Sequence, residues 1–145
     1  MSQKEVQEQI VADLKSWQKI ENASMSSCSR ILEKTDHPLL RAVMETILRD
    51  SQNHYNLQQM ILDSLEKKPF TLTPDDVASV WDGIEKHNQL EKKTVEMATK
   101  LLGEIKGKHL TAQHYLLRYL LIDEEKHNAM LDMLEKVKND LYPYN

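Results

Sequence analysis

Apolar residues return along this chain at alternating steps of three and four, over four long stretches separated by short polar or proline-marked joints. That period belongs to helices that bury one face. The first stretch, about Lys4 to Lys34, carries Ile10, Leu14, Trp17, Ser24, Cys28 and Ile31, with Glu21 in the gap between Trp17 and Ser24. The second opens with Asp36 as N-cap ahead of His37-Pro38 and runs to about Leu65. Its stripe is Leu40, Met44, Ile47, Ser51, His54, Gln58, Ile61 and Leu65. Lys67-Lys68-Pro69-Phe70-Thr71-Leu72 reads as a linker, and Thr73-Pro74-Asp75-Asp76 then starts a third helix with acids in its first turn. That helix places Ala78, Trp81, Glu85, Asn88, Val95 and Leu102 on one face and ends by Gly107. The fourth, about His109 to Asp140, has the clearest stripe: Leu117, Leu120, Glu124, His127, Leu131, Leu134 and Leu141. Pro38, Pro69, Pro74 and Pro143 all fall outside the periodic stretches, where a missing N–H does least harm.

Four helices of roughly 30 residues, each about 45 Å long, predict an all-α fold. The expected architecture is a four-helix bundle forming a single domain over 1–145, built from two helical-hairpin repeats at about 4–66 and 73–140. Trp17-Gln18-Lys19-Ile20-Glu21 and Trp81-Asp82-Gly83-Ile84-Glu85 mark the repeat, each followed on the next helix by a histidine, His54 or His127. Three Gly, four Pro and 29% charged residues suit long helices rather than many strands and turns. The formal charge of −4 argues against a nucleic-acid partner. No segment approaches the roughly 20 apolar residues of a membrane span, and Met1 to Glu8 holds no apolar run of signal-peptide length, so a cytoplasmic location without membrane association is expected. Cys28 is the only cysteine, which excludes an internal disulfide, a zinc ribbon and iron held by four thiolates.

Extending each stripe through mid-helix brings Glu21, Ser51 with His54, Glu85, and Glu124 with His127 to the inner face at about one height. Buried carboxylates cost several kcal/mol each unless protonated or neutralised. No Lys or Arg falls on the inner stripes near that layer, Lys92 being the nearest approach. Carboxylate oxygens and imidazole nitrogens together suit iron, manganese or zinc.

A Glu from each of two helices, with Glu-x-x-His from the others, is the ligand pattern of the ferritin-like di-iron bundles. The chain resembles that superfamily over nearly its whole length, and its rubrerythrin-like branch most closely. The resemblance implies Glu21 and Glu85 as terminal ligands, His54 as the imidazole of the second helix, and Glu124 with His127 as the bridging carboxylate and imidazole of the fourth. Where the pattern has a second bridging Glu this chain has Ser51, and where rubrerythrins often carry another Glu it has Asn88. Asp50, four residues before His54, is then the candidate that makes up the missing charge. The expected site holds two ions asymmetrically, or one ion firmly. With iron, the resemblance implies peroxidase or ferroxidase chemistry on hydrogen peroxide or dioxygen. A separate protein would donate electrons, because Cys28 alone cannot form an attached rubredoxin.

In the ferritin arrangement the chain must return about 33 Å between the second and third helices, whereas Glu66 to Thr73 spans at most about 28 Å. An early-unwound helix, an up-down-up-down bundle, or hairpins exchanged between two chains each resolve this, and a homodimer is the expected assembly. The alternative function is a metal-depleted bundle acting as a binding or structural protein. No fifth helix is expected after Tyr142-Pro143-Tyr144-Asn145, which argues against a storage cage. Trp17, Trp81 and Cys28 read as core, and His37, His87, His109 and His114 as solvated surface.

Overall fold

A computed structural model describes residues 1–141, which are all-helical and without strands. The expectations at Pro143 and for Tyr142 to Asn145 lie outside the described residues. Five helices follow one another: α1 Gln3–Leu32, α2 Pro38–Glu66, α3 Pro74–Ala78, α4 Trp81–Glu104 and α5 Thr111–Leu141. They fall into two compact units, one holding α1 and α2 up to Phe70, the other beginning at Thr71 with α3, α4 and α5. No helix among the described residues is long and apolar enough to cross a membrane.

The first unit is an antiparallel pair. Ser2 and Glu5 close a capping box at the start of α1, with the Ser2 N–H donating to Glu5 at 2.6 Å and the Glu5 N–H donating to Ser2 Oγ at 3.2 Å. At the start of α2 the cap is His37, not Asp36: His37 Nδ1 accepts from the Leu39 N–H at 3.3 Å, with Pro38 in the first turn. Arg41 ties the joint by donating to the carbonyl oxygens of Leu32 at 2.8 Å and Thr35 at 3.0 Å. Further along, Ser24 meets Ser51, Glu21 meets Gln58, Gln18 meets Gln59, and Lys15 pairs with Glu66. Leu14, Gln18, Glu21 and Cys28 are buried, so the inner face of α1 steps 14, 18, 21, 25, 28. Trp17 lies off that face and is 53% exposed, contrary to its reading as core.

In the second unit α4 and α5 run antiparallel, with Asn88 opposite Asp132, Glu91 opposite His127 and Thr94 opposite Glu124. The expected third helix is broken. Thr73 and Asp76 form a capping box that starts α3, but Ser79 Oγ takes the Asp76 carbonyl at 2.9 Å, and Val80 N–H turns to the Val77 carbonyl at 3.2 Å. The bond from residue 80 back to residue 76, which would continue the helix, is replaced. The turn after α4 uses Gly107 at φ 73°, a left-handed conformation that suits glycine. Val77, Trp81 and Ala98 form the buried apolar positions here, and Lys138 Nζ lies 4.3 Å above the Trp81 ring.

Candidate metal centre

The inner face of α4 steps 81, 84, 88, 91, 95, 98, 102, an unbroken alternation of threes and fours. Glu91 sits in the middle of it and is buried, its side chain 10% exposed. Glu85 is exposed, and its carboxylate accepts a hydrogen bond from Trp81 Nε1 at 3.0 Å. The structure therefore brings Glu91 to α5, where the sequence pattern pointed to Glu85.

Glu91, Glu124 and His127 form the cluster, with ligand-capable atoms all within 4.8 Å of one another. His127 Nδ1 is 3.4 Å from Glu91 Oε2 and 3.6 Å from Glu124 Oε2. Thr94 Oγ1 donates to Glu124 Oε2 at 3.0 Å and holds that carboxyl in place. On the other side His87 Nε2 approaches Glu91 Oε1 at 2.8 Å, so this histidine, read from the sequence as surface, touches the centre. Asp123 lies at the edge, 3.5 Å from His127 Nε2 and paired with Lys126 at 2.7 Å.

The two carboxyls shift in opposite directions. A hydrogen bond from Glu124 holds the Glu91 carboxyl below its usual range, against the effect of burial, and His87 and His127 reinforce the lowering. The Glu124 carboxyl is raised by its hydrogen bond to Glu91 and by burial. Of the two, Glu91 is thus the carboxyl that favours the charged form and Glu124 the one that favours the protonated form.

The α1–α2 pair repeats the arrangement with poorer donors. Glu21, buried like Glu91, has Gln58 Nε2 at 3.4 Å and His54 Nδ1 at 3.5 Å from the same oxygen. Ser24 and Ser51 share a hydrogen bond of 3.0 Å where the other pair has Thr94 and Glu124. Glu21-x-x-Ser24-x-x-x-Cys28 and Glu91-x-x-Thr94-x-x-x-Ala98 are the true counterparts, and the two Trp-x-x-x-Glu passages are not. His54 is half-exposed at its pair's edge, and Asp50 is exposed and not brought to Glu21. Cys28 is buried, as expected of a small core residue.

The donor set of the second pair suits a cation. Bonds from zinc to oxygen or nitrogen of roughly 2.0–2.2 Å place neighbouring donors about 3 Å apart or slightly more, close to the separations around Glu91. Asn88 Oδ1 and Asn128 Oδ1, one helical turn from Glu91 and Glu124, are buried without hydrogen-bond partners. The orphan in the first pair is Gln58 Oε1. A cleft of about 270 Å³ lined by His87, Glu91, His127, Met130 and Leu131 opens onto the cluster. The chain matches no family model, no curated protein and no solved structure.

Proposed function

We propose that this chain is a metal-binding protein of ferritin-like type, holding a divalent transition metal through Glu91, Glu124 and His127. The observation that carries this is the convergence of those three side chains from two helices, with a buried carboxylate at the middle. Iron is the ion the resemblance implies, and manganese or zinc fit the same ligands. Iron held there would supply redox chemistry with dioxygen or hydrogen peroxide, of ferroxidase or peroxidase type, with electrons from a separate donor protein. Glu21 and His54, the counterparts of Glu91 and His127, are the candidates for an asymmetric second position.

The finer architecture belongs to the same proposal: two helical pairs closing into one four-helix bundle, with homodimerisation. Trp17, Ile20, Leu57 and Met60 in one pair, and Leu90, Met97, Ile122 and Met133 in the other, remain exposed. Apolar area of this extent supports further packing. The break at Ser79 and Val80 also lengthens the connection before α4. With residues 67–73 extended and α3 and the turn at 79–80 counted at helical rise, the connection can reach about 34 Å, near the length a parallel crossover needs.

Elemental analysis of unsupplemented protein tests the reading, with the double variant Glu124→Ala, His127→Ala as control. Stoichiometric metal lost in the variant is expected; equal trace metal in both would end the proposal. A second reading, a bundle that has lost metal chemistry and serves as a binding or structural protein, is favoured by the closed Ser24–Ser51 contact. On that reading Ser51→Glu gives tighter metal uptake than the parent, and unchanged uptake counts against it.

A further inference from the structure

We infer that His87 is a fourth ligand, so that α4 and α5 hold a single ion through two carboxylates and two imidazoles, Glu91, Glu124, His87 and His127. This rests on the metal-binding reading above and deepens it by fixing the ligands and the number of ions. The Glu91 carboxylate lies between the two rings, with Oε1 2.8 Å from His87 Nε2 and 3.4 Å from His127 Nδ1. Donor atoms on one four-coordinate ion with bonds of about 2.1 Å sit about 3.4 Å apart; Glu91, Glu124 and His127 already lie within 4.8 Å of one another, and His87 joins them by a turn of its exposed ring. One turn of α4 separates His87 from Glu91, which lets both reach α5 from one side of the helix.

Charge points the same way. The carboxylates of Glu91 and Glu124 supply two negative charges, which balance one divalent ion. The centre is then neutral without any group from the first pair. Glu21 has a single carboxylate, one half-exposed imidazole, and Ser51 where a second carboxylate would stand. The His87 side chain is 60% exposed at the lip of the cleft, so it can turn from Glu91 toward an entering ion without disturbing the core.

Chelator-stripped full-length protein is titrated with Zn(II) by calorimetry, and the zinc-loaded form is studied by X-ray absorption to count imidazole ligands. Expected are one ion per chain and two imidazoles, falling to one imidazole in His87→Ala with binding weakened by more than the about 10- to 100-fold that loss of an outer partner costs. His87→Gln, which keeps a donor toward Glu91, separates the roles: restoration of parent affinity by Gln would overturn ligation and leave His87 a positioning residue. Parent-like affinity and an unchanged imidazole count in His87→Ala would overturn the inference while leaving metal binding intact. Two ions per chain would refute the single-ion site alone. No zinc uptake by the parent would remove the metal-binding reading itself, and this inference with it.

Discussion

Glu85 and Glu91 are six residues apart on α4, which at about 100° per residue turns one roughly 120° from the other around the helix. Only one of them can face α5. Glu91 does, and Glu85 hydrogen-bonds to Trp81 Nε1. Glu91→Gln is accordingly expected to abolish metal retention, whereas Glu85→Gln leaves the metal content of the purified protein unchanged; the reverse pattern in elemental analysis would return the ligand to position 85. Glu91 was legible in the sequence through the unbroken three-four stepping of its face and through Glu-x-x-(Ser/Thr)-x-x-x-(Cys/Ala), shared with the first helix. The louder match between two Trp-x-x-x-Glu passages set a register six residues away. Buried Trp81 and exposed Trp17 do not occupy equivalent places. Glu124 and His127 were legible because both lie on a single apolar stripe.

The opposed shifts of the two carboxyls give a second expectation. A carboxyl raised in the folded state, as Glu124 is, contributes stability that is complete below its ordinary value near 4.5 and is lost as pH rises through the raised value. Glu91, lowered, acts in the opposite sense: its contribution is present above the ordinary value and is lost as pH falls through the lowered one. Glu124→Gln keeps an N–H donor for Glu91 and removes the raised group. In chelator the variant is expected to unfold at higher urea than the parent at about pH 7, with the difference shrinking toward pH 4.5. Parallel urea midpoints at both pH values would contradict the raised Glu124 carboxyl.

At the scale of the helices, the boundaries of α1, α2 and α5 were legible within a few residues from periodicity, with Pro38 marking the first turn of α2 although its cap is His37 and not Asp36. The separation of α3 from α4 was not. It shows in the backbone, where the Val80 N–H turns to the Val77 carbonyl, and nothing in an apolar stripe records that change. The apolar contact between helices is narrow, because the inner faces carry Gln18, Glu21, Ser51 and Gln58 among few aliphatic residues. Leu62, 1% exposed, therefore bears a large share of the α1–α2 packing. Leu62→Ala is expected to destabilise by about 2–5 kcal/mol, measured by urea unfolding; a loss below 1 kcal/mol would mean that this position relaxes freely.

At the scale of the whole chain, the pattern of stripes makes the all-helical class legible, but the proposed closure of two pairs would draw on exposed side chains such as Trp17, Ile20, Leu90 and Ile122, which either pair could use in several ways. The chain carries its own reporters for this step, since Trp17 belongs to the first unit and Trp81 to the second. Trp17→Phe and Trp81→Phe leave one fluorophore each. A ligand that binds only the folded state stabilises whatever unfolds together with its site, by about 2.7 kcal/mol at a hundredfold excess over its dissociation constant. The proposed ion is held by α4 and α5, so metal must raise the unfolding midpoint seen by Trp81. If the pairs close into one cooperative bundle, the midpoint seen by Trp17 rises equally, although no residue of α1 or α2 need touch the ion. Coincident shifts of the two reporters are expected. A metal-dependent Trp81 transition beside an unmoved Trp17 transition would show two independently folding hairpins and would remove the ferritin-like closure while leaving the metal centre in place.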